Sequence, residues 1–306
     1  MQYQLINVEP LTASIGAVIG GINLADKLSE QVKAEIQHAW LKHLVVFFRD
    51  QELTAEQHLS LGRNFGELHI HPAAPYRHDN PALMAIHTDA DSHRNNGEVW
   101  HSDVSADEQP PKASILYLQT VPATGGDTLW ANMYAAYEAL SSPIQEMLEP
   151  LSARHEANYS GIYGDHKPQR ANPHANHPVI RTHPETGRKA LFVNQGFTKA
   201  ILGLSREESS ALLQFLFQHV KHPAFHCRFR WTENAVAIWD NRCTQHLAVW
   251  DYYPNGRKMD ELNFKNGELE GLWTSWYLNG QKKFEGNYKD GEQISLICWD
   301  EDGNEC

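Results

Sequence analysis

Cysteine is scarce in this 306-residue chain and never forms a CxxC pair. The only cysteines are Cys227, Cys243, Cys298 and Cys306. Cysteines paired at short spacing are typical of structural zinc sites, and a dense set of cysteines is typical of small secreted domains. The sequence therefore indicates neither a zinc knot nor a disulfide framework, and we interpret these thiols as reduced and structural.

Long apolar runs are also missing. No stretch reaches the ~18 residues that a membrane-spanning helix needs, and the first residues lack the basic and apolar regions of a signal peptide. We therefore expect a soluble, cytoplasmic protein with no membrane partner.

Positive charge is in deficit, because 26 Lys and Arg face 38 Asp and Glu, for a formal net charge of −12. Nucleic-acid backbones are bound through basic surfaces, so we expect no nucleic-acid partner. What the chain does have is 41% apolar residues and nine Trp, a composition that predicts a folded globular protein.

Helical and extended patterns alternate along the first 240 residues. Four-residue apolar spacing predicts a helix near 29–42, and a capping box at Thr54 predicts a helix near 54–64. Helices are also expected near 135–149 and 206–220. Short apolar runs between turn residues predict strands at 43–48, 113–118, 189–194, 225–231 and 235–240. The expected fold is mostly β with flanking helices.

The C-terminal segment repeats itself at a spacing of 24 residues, so that Tyr253 to Glu268 is echoed by Tyr277 to Glu292. Each unit carries an Asn-Gly pair between aromatic-rich runs, which predicts stacked β-hairpins. Asp302-Gly303 suggests a third, shorter unit. The segment resembles the MORN-type repeat family, and we expect 253–306 to be an appended hairpin module.

The segment Trp100-His-Ser-Asp103 places an imidazole and a carboxylate two residues apart. On a strand both side chains point to the same side and converge on one ion. His246, beside a strand candidate, supplies a third ligand. Two histidines and one carboxylate leave open positions on Fe(II), which oxygen chemistry requires. A surface pair is the alternative interpretation of His-x-Asp in a chain with 18 His.

Seven segments, in order, carry a family resemblance. They are Phe65-Gly-Glu-Leu-His-Ile-His-Pro72, Trp100-His-Ser-Asp-Val104, Gly125-Gly-Asp-Thr-Leu-Trp130, Ala136-Tyr-Glu-Ala-Leu140, Arg181-Thr-His-Pro184, Phe192-Val-Asn194 and Ile238-Trp-Asp-Asn-Arg-Cys-Thr-Gln-His246. Over residues 1–259 the chain resembles the TauD/TfdA family of Fe(II)/2-oxoglutarate-dependent dioxygenases.

The resemblance implies a double-stranded β-helix (jelly-roll) core, a small-molecule substrate, O2, and 2-oxoglutarate as co-substrate. It places the iron ligands on His101, Asp103 and His246. The residues that bind 2-oxoglutarate fall on Thr128 and Arg257, whose guanidinium offers the remote carboxylate a bidentate partner. Alternatively, Arg257 is an exposed hairpin arginine of the repeat. Homo-oligomers are common in the family, so we expect a possible homo-oligomer.

The residues expected at the substrate give a mixed picture. His71 and Val104 match substrate-contacting positions, Asn96 lies near an expected amide, and Glu261 stands where an arginine would hold a sulfonate. Replacing that cation by an anion changes the interaction with an anionic substrate by on the order of a few kcal/mol. His71 is equally consistent with a loop histidine bonded to the backbone.

Residues beside the metal ligands and the substrate position are also expected to contribute. An aromatic hydroxyl is expected at the position of Ala74, and Tyr76 is the candidate to reach the substrate in its place. Asp251 and Arg242 are expected to orient His246. Three tryptophans are expected in the core, namely Trp100, Trp130 and Trp239.

The leading hypothesis is a dioxygenase that hydroxylates taurine or another alkanesulfonate, giving sulfite, an aldehyde, succinate and CO2. One alternative is a dioxygenase with a non-sulfonate substrate. Another is a catalytically impaired metal-binding scaffold whose repeats bind proteins. A zinc hydrolase with the same ligands is the weakest alternative, because no general base is evident.

Overall fold

The structure is a computed structural model that describes residues 3–72, 76–77, 80–87, 97–122, 125–159, 172–249, 259–261, 264–265, 268–277, 279–289 and 292–306. The chain divides into two compact units. The first comprises Met1–Ala85, Val99–Val121 and Leu129–Leu247. The second comprises Ile86–Glu98, Pro122–Thr128 and Ala248–Cys306.

The helices begin at side chains that cap them. Ser29 accepts from a backbone N–H of the first turn of α1, and capping boxes at Thr54 and Ser205 open α2 and α5. The helices are α1 (Glu30–His43), α2 (Ala55–Arg63), α3 (Met133–Glu138), α4 (Ser142–Leu148) and α5 (Arg206–Val220). One prediction is wrong here. The helix expected over 135–149 is broken in two, because Pro143 lies in the first turn of α4 and lacks the N–H that would continue α3.

Short strands make up most of the regular structure of the described residues up to Val249. They are β1 (Asn7–Pro10), β2 (Ala17–Gly20), β3 (Val45–Phe48), β4 (Tyr76–Arg77), β5 (Asn80–Met84), β6 (Ala113–Leu118), β7 (Asp127–Asn132), β8 (Ser152–Glu156), β9 (His174–Pro178), β10 (Ile180–Thr182), β11 (Lys189–Leu191), β12 (Thr198–Ile201), β13 (His226–Phe229), β14 (Ala235–Asp240) and β15 (Thr244–Val249). The strands predicted at 189–194 and 225–231 are shorter than expected.

Three sheets of three or more strands organise eleven of these strands, while β4 pairs with β5 and β10 pairs with β11 in two-stranded sheets. The largest has the order β1-β2-β3-β14-β6, and the others have the orders β13-β7-β15 and β12-β8-β9. β14 is buried along its whole length because it lies between β3 and β6. Its register with β6 places Trp239 opposite Ser114. A fold that is mostly β with flanking helices is confirmed.

The central strands are apolar on both faces because a separate cluster packs on each. Val45, Phe47, Ala237 and Trp239 belong to one cluster, while the residues that alternate with them belong to the other. In the first cluster Phe47 packs edge-on against Trp130, with ring centroids 5.1 Å apart. The prediction that Trp100, Trp130 and Trp239 lie in the core is confirmed.

A buried histidine lies at the centre of a polar network. His155 of β8 is fully buried, with Nδ1 3.1 Å from Ser105 Oγ and Nε2 3.2 Å from Thr198 Oγ1. The Nδ2 of Asn194 donates to Ser105 Oγ at 3.0 Å. Burial, with a smaller contribution from His177, lowers the pKa of His155 to about 3.

The low pKa of His155 predicts acid sensitivity. An unfolded histidine has a pKa of about 6.5, so the unfolded chain binds more protons than the folded chain below that pH. Stability therefore falls as pH drops from about 6.5 toward the folded pKa, and His155 alone contributes a loss of about 2 kcal/mol between about pH 7 and 5. Urea unfolding of the metal-free protein at both pH values should show His155→Gln losing less stability than wild type.

The control for that experiment is His174→Gln, which changes an exposed histidine on the neighbouring strand β9. Its pH dependence should match wild type. An unchanged pH dependence in His155→Gln would contradict the prediction.

The second unit contains the predicted hairpins. Its strands are β16 (Asp260–Glu261), β17 (Phe264–Lys265), β18 (Glu268–Leu269), β19 (Gly271–Trp276), β20 (Lys282–Lys289) and β21 (Glu292–Cys298), with one sheet of order β16-β19-β20-β21. The Asn279-Gly280 turn joins β19 to β20, and Gly280 has φ of +90° as such a turn requires.

The next turn repeats this arrangement, with φ of +87° at Gly303. Tyr277 Oη donates to Trp299 O at 2.9 Å, and Asn279 Nδ2 donates to Glu301 O at 2.7 Å. Successive turns therefore stack on one another. Among the helices of the described segments, none combines the length and apolarity needed to cross a bilayer.

Candidate metal centre

Two histidines lie side by side on neighbouring backbone segments. The N–H of His101 donates to the carbonyl of His246 at 3.1 Å, and the N–H of His246 donates to the carbonyl of His101 at 2.8 Å. His246 is the third residue of β15, and His101 pairs with it through an isolated antiparallel bridge. The sequence separates these residues by 145 positions, and the bridge brings their rings to a centroid distance of 4.1 Å.

Asp103 reaches the same place through a turn. The expectation that His101 and Asp103 share a strand is wrong, because regular pairing ends at His101 and the chain turns at once. Val104 has φ of +52°, in the left-handed region that β-branched residues rarely adopt. The N–H of Asp107 donates to the carbonyl of Val104 at 3.0 Å and closes the turn. This strained turn, not strand alternation, aims the carboxylate at the histidines.

The three side chains form a set of donor atoms that suits a divalent metal. Asp103 Oδ1 lies 3.6 Å from Nε2 of His101 and 3.6 Å from Nε2 of His246, and all three donor atoms fall within 4.8 Å of one another. Metal–ligand bonds of about 2.1 Å at right angles separate two donors by about 3 Å. A small inward movement of these side chains therefore closes them on one ion. Two imidazoles and one carboxylate suit Fe(II).

The charge states of the three groups favour metal binding. Burial would raise the pKa of Asp103, but the facing imidazoles of His246 and His101 hold it well below its usual range. Burial lowers the pKa of His246 to about 3, with a further contribution from His101. Burial would also lower the pKa of His101, but Asp103 and the carbonyl of Val99 raise it. Asp103 thus favours the binding of a proton by His101. A metal cation bound between these side chains can replace that proton.

The surroundings hold each imidazole in place. His101 Nδ1 lies 2.7 Å from the carbonyl oxygen of Val99, which fixes that nitrogen as the donor and leaves Nε2 for a metal. The ring of His246 packs against Trp239 and Trp130, at centroid distances of 4.9 Å and 6.4 Å. These indoles keep water from the far side of the site.

Comparison with known proteins identifies the family. The sequence profile of the taurine catabolism dioxygenase TauD, TfdA family matches residues 7–262. The chain belongs to this family. An alpha-ketoglutarate-dependent sulfate ester dioxygenase of Pseudomonas putida is 38% identical over 81% of this chain and 85% of its own length. An alpha-ketoglutarate-dependent sulfonate dioxygenase of Saccharomyces cerevisiae is 35% identical over 81% of this chain and 63% of its own length.

The solved structures agree with the sequence comparison. The crystal structure of a taurine dioxygenase from Burkholderia xenovorans has a TM-score of 0.69 and 37% identity, covering 83% of this chain and 94% of that one. The predicted jelly-roll core is thereby confirmed. This TauD/TfdA-family chain is a 2-oxoglutarate-dependent dioxygenase that uses a small-molecule substrate, O2 and a metal ion.

The predicted substrate residues of the first unit lie near the donor set. His71 is partly buried and contacts Tyr159, with ring centroids 5.3 Å apart. Burial lowers the pKa of His71, and the nearby charge of Asp103 opposes that shift. Val104 is buried directly after Asp103. His71 and Val104 therefore both lie near Asp103, and their contact with substrate stays a prediction.

Other predicted residues have different outcomes. Thr128 is buried as the second residue of β7, and Glu261 is exposed in β16, opposite Thr274 of β19. Asn96 and Arg257 lie outside the described residues, as do Ala74, Asp251 and the side chain of Tyr76.

Arg242 does not orient His246 as predicted. Its guanidinium donates to Asp240 at 2.6 and 2.8 Å and to Glu185 at 2.6 Å. Asp240, two residues away, is a buried carboxylate and therefore a stronger partner for the guanidinium than an imidazole.

A second cluster has the composition of a metal site but not its chemistry. Possible ligand atoms of His183, Asp240 and Cys243 lie within 4.8 Å of one another. Asp240 already accepts from Arg242 with both oxygens, and its Oδ2 lies 3.1 Å from His183 Nε2. His183 Nδ1 accepts two backbone N–H groups. Because these donors and acceptors are satisfied within the protein, we interpret the cluster as a structural ion-pair network.

Sequence reasoning missed a glycine that the first ligand requires. A Cβ built on Gly196 would lie 2.9 Å from the Cβ of His101. The N–H of Gly196 also donates to the carbonyl of Trp100 at 3.1 Å, so the two backbones cannot separate freely. The only available signal was its position two residues after the family segment that ends at Asn194.

Gly196→Ala should weaken metal binding, because the new methyl group must displace His101. Outer residues that support a ligand typically change metal affinity by about 10–100-fold, and we expect about tenfold. Titration of the metal-free protein with Mn(II) measures this. Gly20→Ala is the control, because the nearest atom to a Cβ there is 4.0 Å away. Equal affinity of Gly196→Ala and wild type would contradict the prediction.

Proposed function

We propose that this chain is an Fe(II)/2-oxoglutarate-dependent dioxygenase that hydroxylates the carbon bearing a sulfonate or sulfate ester group. The observation that carries the proposal is the convergence of His101, Asp103 and His246, whose donor atoms lie within 4.8 Å of one another. We assign these three residues as the iron ligands. Iron supplies the activation of O2 that hydroxylation of an unactivated C–H bond requires.

The residues of the chain prepare the site for that chemistry. Asp103 binds as a carboxylate. His101 binds through Nε2, since its Nδ1 is engaged by the carbonyl of Val99, and His246 binds through the Nε2 that lies 3.6 Å from Asp103 Oδ1. Three protein ligands leave positions for the co-substrate and for oxygen. The indoles beside His246 restrict water, which favours coupling of the oxidation to the substrate.

We assign 2-oxoglutarate binding to Thr128 and Arg257 by resemblance to the family. An arginine fork and a hydroxyl suit the remote carboxylate of the co-substrate. Thr128 is buried as the second residue of β7.

The names of two relatives indicate the class of the substrate. The P. putida relative is described as acting on sulfate esters and the S. cerevisiae relative on sulfonates, so the shared group is an oxidised sulfur anion. We propose that His71 contacts this anion, that Val104 and Asn96 line the carbon side, and that Glu261 faces the end of the site. Taurine or another alkanesulfonate would give an aldehyde, sulfite, succinate and CO2. A sulfate ester would release sulfate instead.

The decisive experiment is a screen for succinate release. Purified protein with Fe(II), ascorbate and 2-oxoglutarate is tested against taurine, longer alkanesulfonates, alkyl sulfates and non-sulfur acids. We expect succinate together with sulfite or sulfate in a 1:1 ratio for at least one sulfur compound. Turnover only with non-sulfur acids would reject the substrate class. No turnover with any compound would favour the impaired scaffold, and hydrolysis without succinate would favour a zinc hydrolase.

Glu261→Arg tests the substrate end of the proposed site. If Glu261 faces the sulfonate, this change replaces repulsion by attraction, and kcat/KM for an alkanesulfonate should rise by at least about tenfold, equivalent to about 1.4 kcal/mol. Steady-state succinate assays measure the ratio. Glu292→Arg, the same reversal at an exposed position of the same sheet, is the control. Equal gains in both variants, or none in Glu261→Arg, would place Glu261 outside the site.

We also propose a division into an oxygenase domain over 1–259 and a MORN-like hairpin module over 253–306. The 24-residue repeat and the stacked turns at Gly280 and Gly303 support the module. Limited proteolysis would test whether it is released as a folded fragment.

A further inference from the structure

Asn241 uses every polar group it has. Its N–H donates to the carbonyl of Lys112 at 3.0 Å, and its carbonyl accepts from Ser102 Oγ at 2.6 Å. Its side-chain Oδ1 accepts from Trp239 Nε1 at 2.9 Å, and its Nδ2 donates to Ser114 Oγ at 2.9 Å. Asn241 is 2% exposed, so these bonds are shielded from water.

The indole of Trp239 sets the direction of this chain of bonds. An indole N–H can only donate, so the amide oxygen of Asn241 must face it and the amide nitrogen must face Ser114. Ser114 Oγ therefore accepts from Asn241, and its single proton is directed to Asp103 Oδ2, 2.6 Å away. No alternative orientation of the amide satisfies both neighbours.

The two oxygens of Asp103 are consequently distinguished. Oδ2 accepts from Ser114, while Oδ1 faces the Nε2 atoms of His101 and His246 at 3.6 Å each. Ser102, beside Asp103 in sequence, is bonded to the same asparagine, so Asn241 holds the ligand both through the backbone and through its carboxylate.

We propose that Ser114 and Asn241 are positioning residues that restrict Asp103 to binding metal through Oδ1 alone, with Trp239 directing their hydrogen bonds. The inference rests on the proposed metal site and is independent of the substrate. Holding Oδ2 away from the ion keeps a coordination position open for 2-oxoglutarate or oxygen. Without the hydroxyl of Ser114, the carboxylate can rotate and occupy that position.

The first test titrates metal-free protein with Co(II) and follows its visible absorption. Ser114→Ala should raise the Co(II) dissociation constant by about 10–100-fold and change the shape of the absorption bands, which report coordination geometry. Ser114→Thr retains the hydroxyl and should stay within about threefold of wild type, with the wild-type band shape. If the alanine variant does not fold, Ser114→Cys, whose thiol is a weak donor, should change both quantities in the same direction.

Ser209→Ala is the matched control. Its Oγ is a buried serine hydroxyl oxygen that accepts from the N–H of Ile201 at 2.8 Å, away from the donor set. This variant should melt at a lower temperature but keep the wild-type Co(II) affinity and spectrum. A wild-type affinity and spectrum in Ser114→Ala, or an equal loss in Ser209→Ala, would overturn the proposal.

A double-mutant cycle tests the direction of the bonds. Trp239→Phe should weaken Co(II) binding in the wild-type background, and its effect should fall below about twofold once Ser114 is alanine, because both changes break one chain. An effect that persists in the Ser114→Ala background would show that Trp239 acts by packing on His246, and would overturn its assigned part.

The readout separates this inference from the proposed function. Loss of Co(II) affinity in Ser114→Ala, in a protein that oxidises no sulfonate or sulfate ester, would support the positioning residues and reject the substrate. If the wild-type protein oxidises a sulfonate and Ser114→Ala keeps the wild-type Co(II) affinity and spectrum, the positioning residues are rejected and the proposed function stands.

Discussion

Asp103→Ala should raise the dissociation constant for Mn(II) or Fe(II) by more than about 100-fold, above the range seen for outer residues. The carboxylate is the only anionic donor of the three proposed ligands, and its Oδ1 lies 3.6 Å from both histidine Nε2 atoms. Removing it leaves two neutral imidazoles to hold a divalent cation. 2-Oxoglutarate turnover should fall below detection, measured as succinate release at a metal concentration that saturates wild type.

Glu108→Gln is the control for Asp103→Ala. Glu108 is exposed five residues further along the chain, so its loss changes the net charge by the same amount without touching the donor set. It should retain wild-type affinity and turnover. Metal binding by Asp103→Ala at wild-type strength would reject the assigned ligand set.

Asp240→Asn should have the largest effect on stability. Asp240 is 1% exposed and bonds Arg242, whose side chain is 7% exposed. Removing one charge of a buried pair leaves the other without compensation, at about 3–5 kcal/mol. Glu185 retains part of the interaction with Arg242, so we expect about 3 kcal/mol. Urea titration should show a lower midpoint with an unchanged slope.

An exposed ion pair provides the comparison. Glu30 pairs with Lys33 at 2.6 Å, but its side chain is 90% exposed. Water screens such an exposed pair, so it contributes little to stability and Glu30→Gln should move the urea midpoint very little. A midpoint shift in Asp240→Asn no larger than that of Glu30→Gln would mean that the cluster around Asp240 is not a buried ion pair.

Several parts of the fold were predictable because their signals are local. The capping box at Thr54 and the serine cap before Arg206 fix where α2 and α5 begin. The apolar run at 235–240 predicted a strand, and the structure shows that β14 is buried along its whole length because it is covered on both faces. The hairpin turn at Asn279-Gly280 was predictable because its backbone angles require glycine.

Other parts depended on contacts that no local pattern encodes. The break in the helix predicted over 135–149 is, by contrast, a local signal, because Pro143 lacks the backbone N–H that would continue α3. Arg242 was predicted to orient His246, but the three-dimensional structure offered Glu185, 57 residues away, as well as Asp240. Ser114 and Gly196 carried no motif of their own, so only their positions in space connect them to the metal ligands.

The sequence by itself determined the chemistry of the candidate metal centre. His101, Asp103 and His246 are the residue types that bind a divalent metal and leave positions open, and the ordered family segments around them placed the chain among the TauD/TfdA dioxygenases. Residue type is a property of the sequence, and so is the order of segments.

Only the tertiary structure decided how that centre is held. A strained turn at Val104 directs Asp103 toward the histidines, and the bridge to His246 positions His101. Ser114 holds Oδ2 of Asp103 by a hydrogen bond. These constraints come from segments far apart in sequence that become neighbours when β6, β14 and β15 fold. Orientation depends on distances between atoms, and the linear order of residues does not specify them until the sheets have formed.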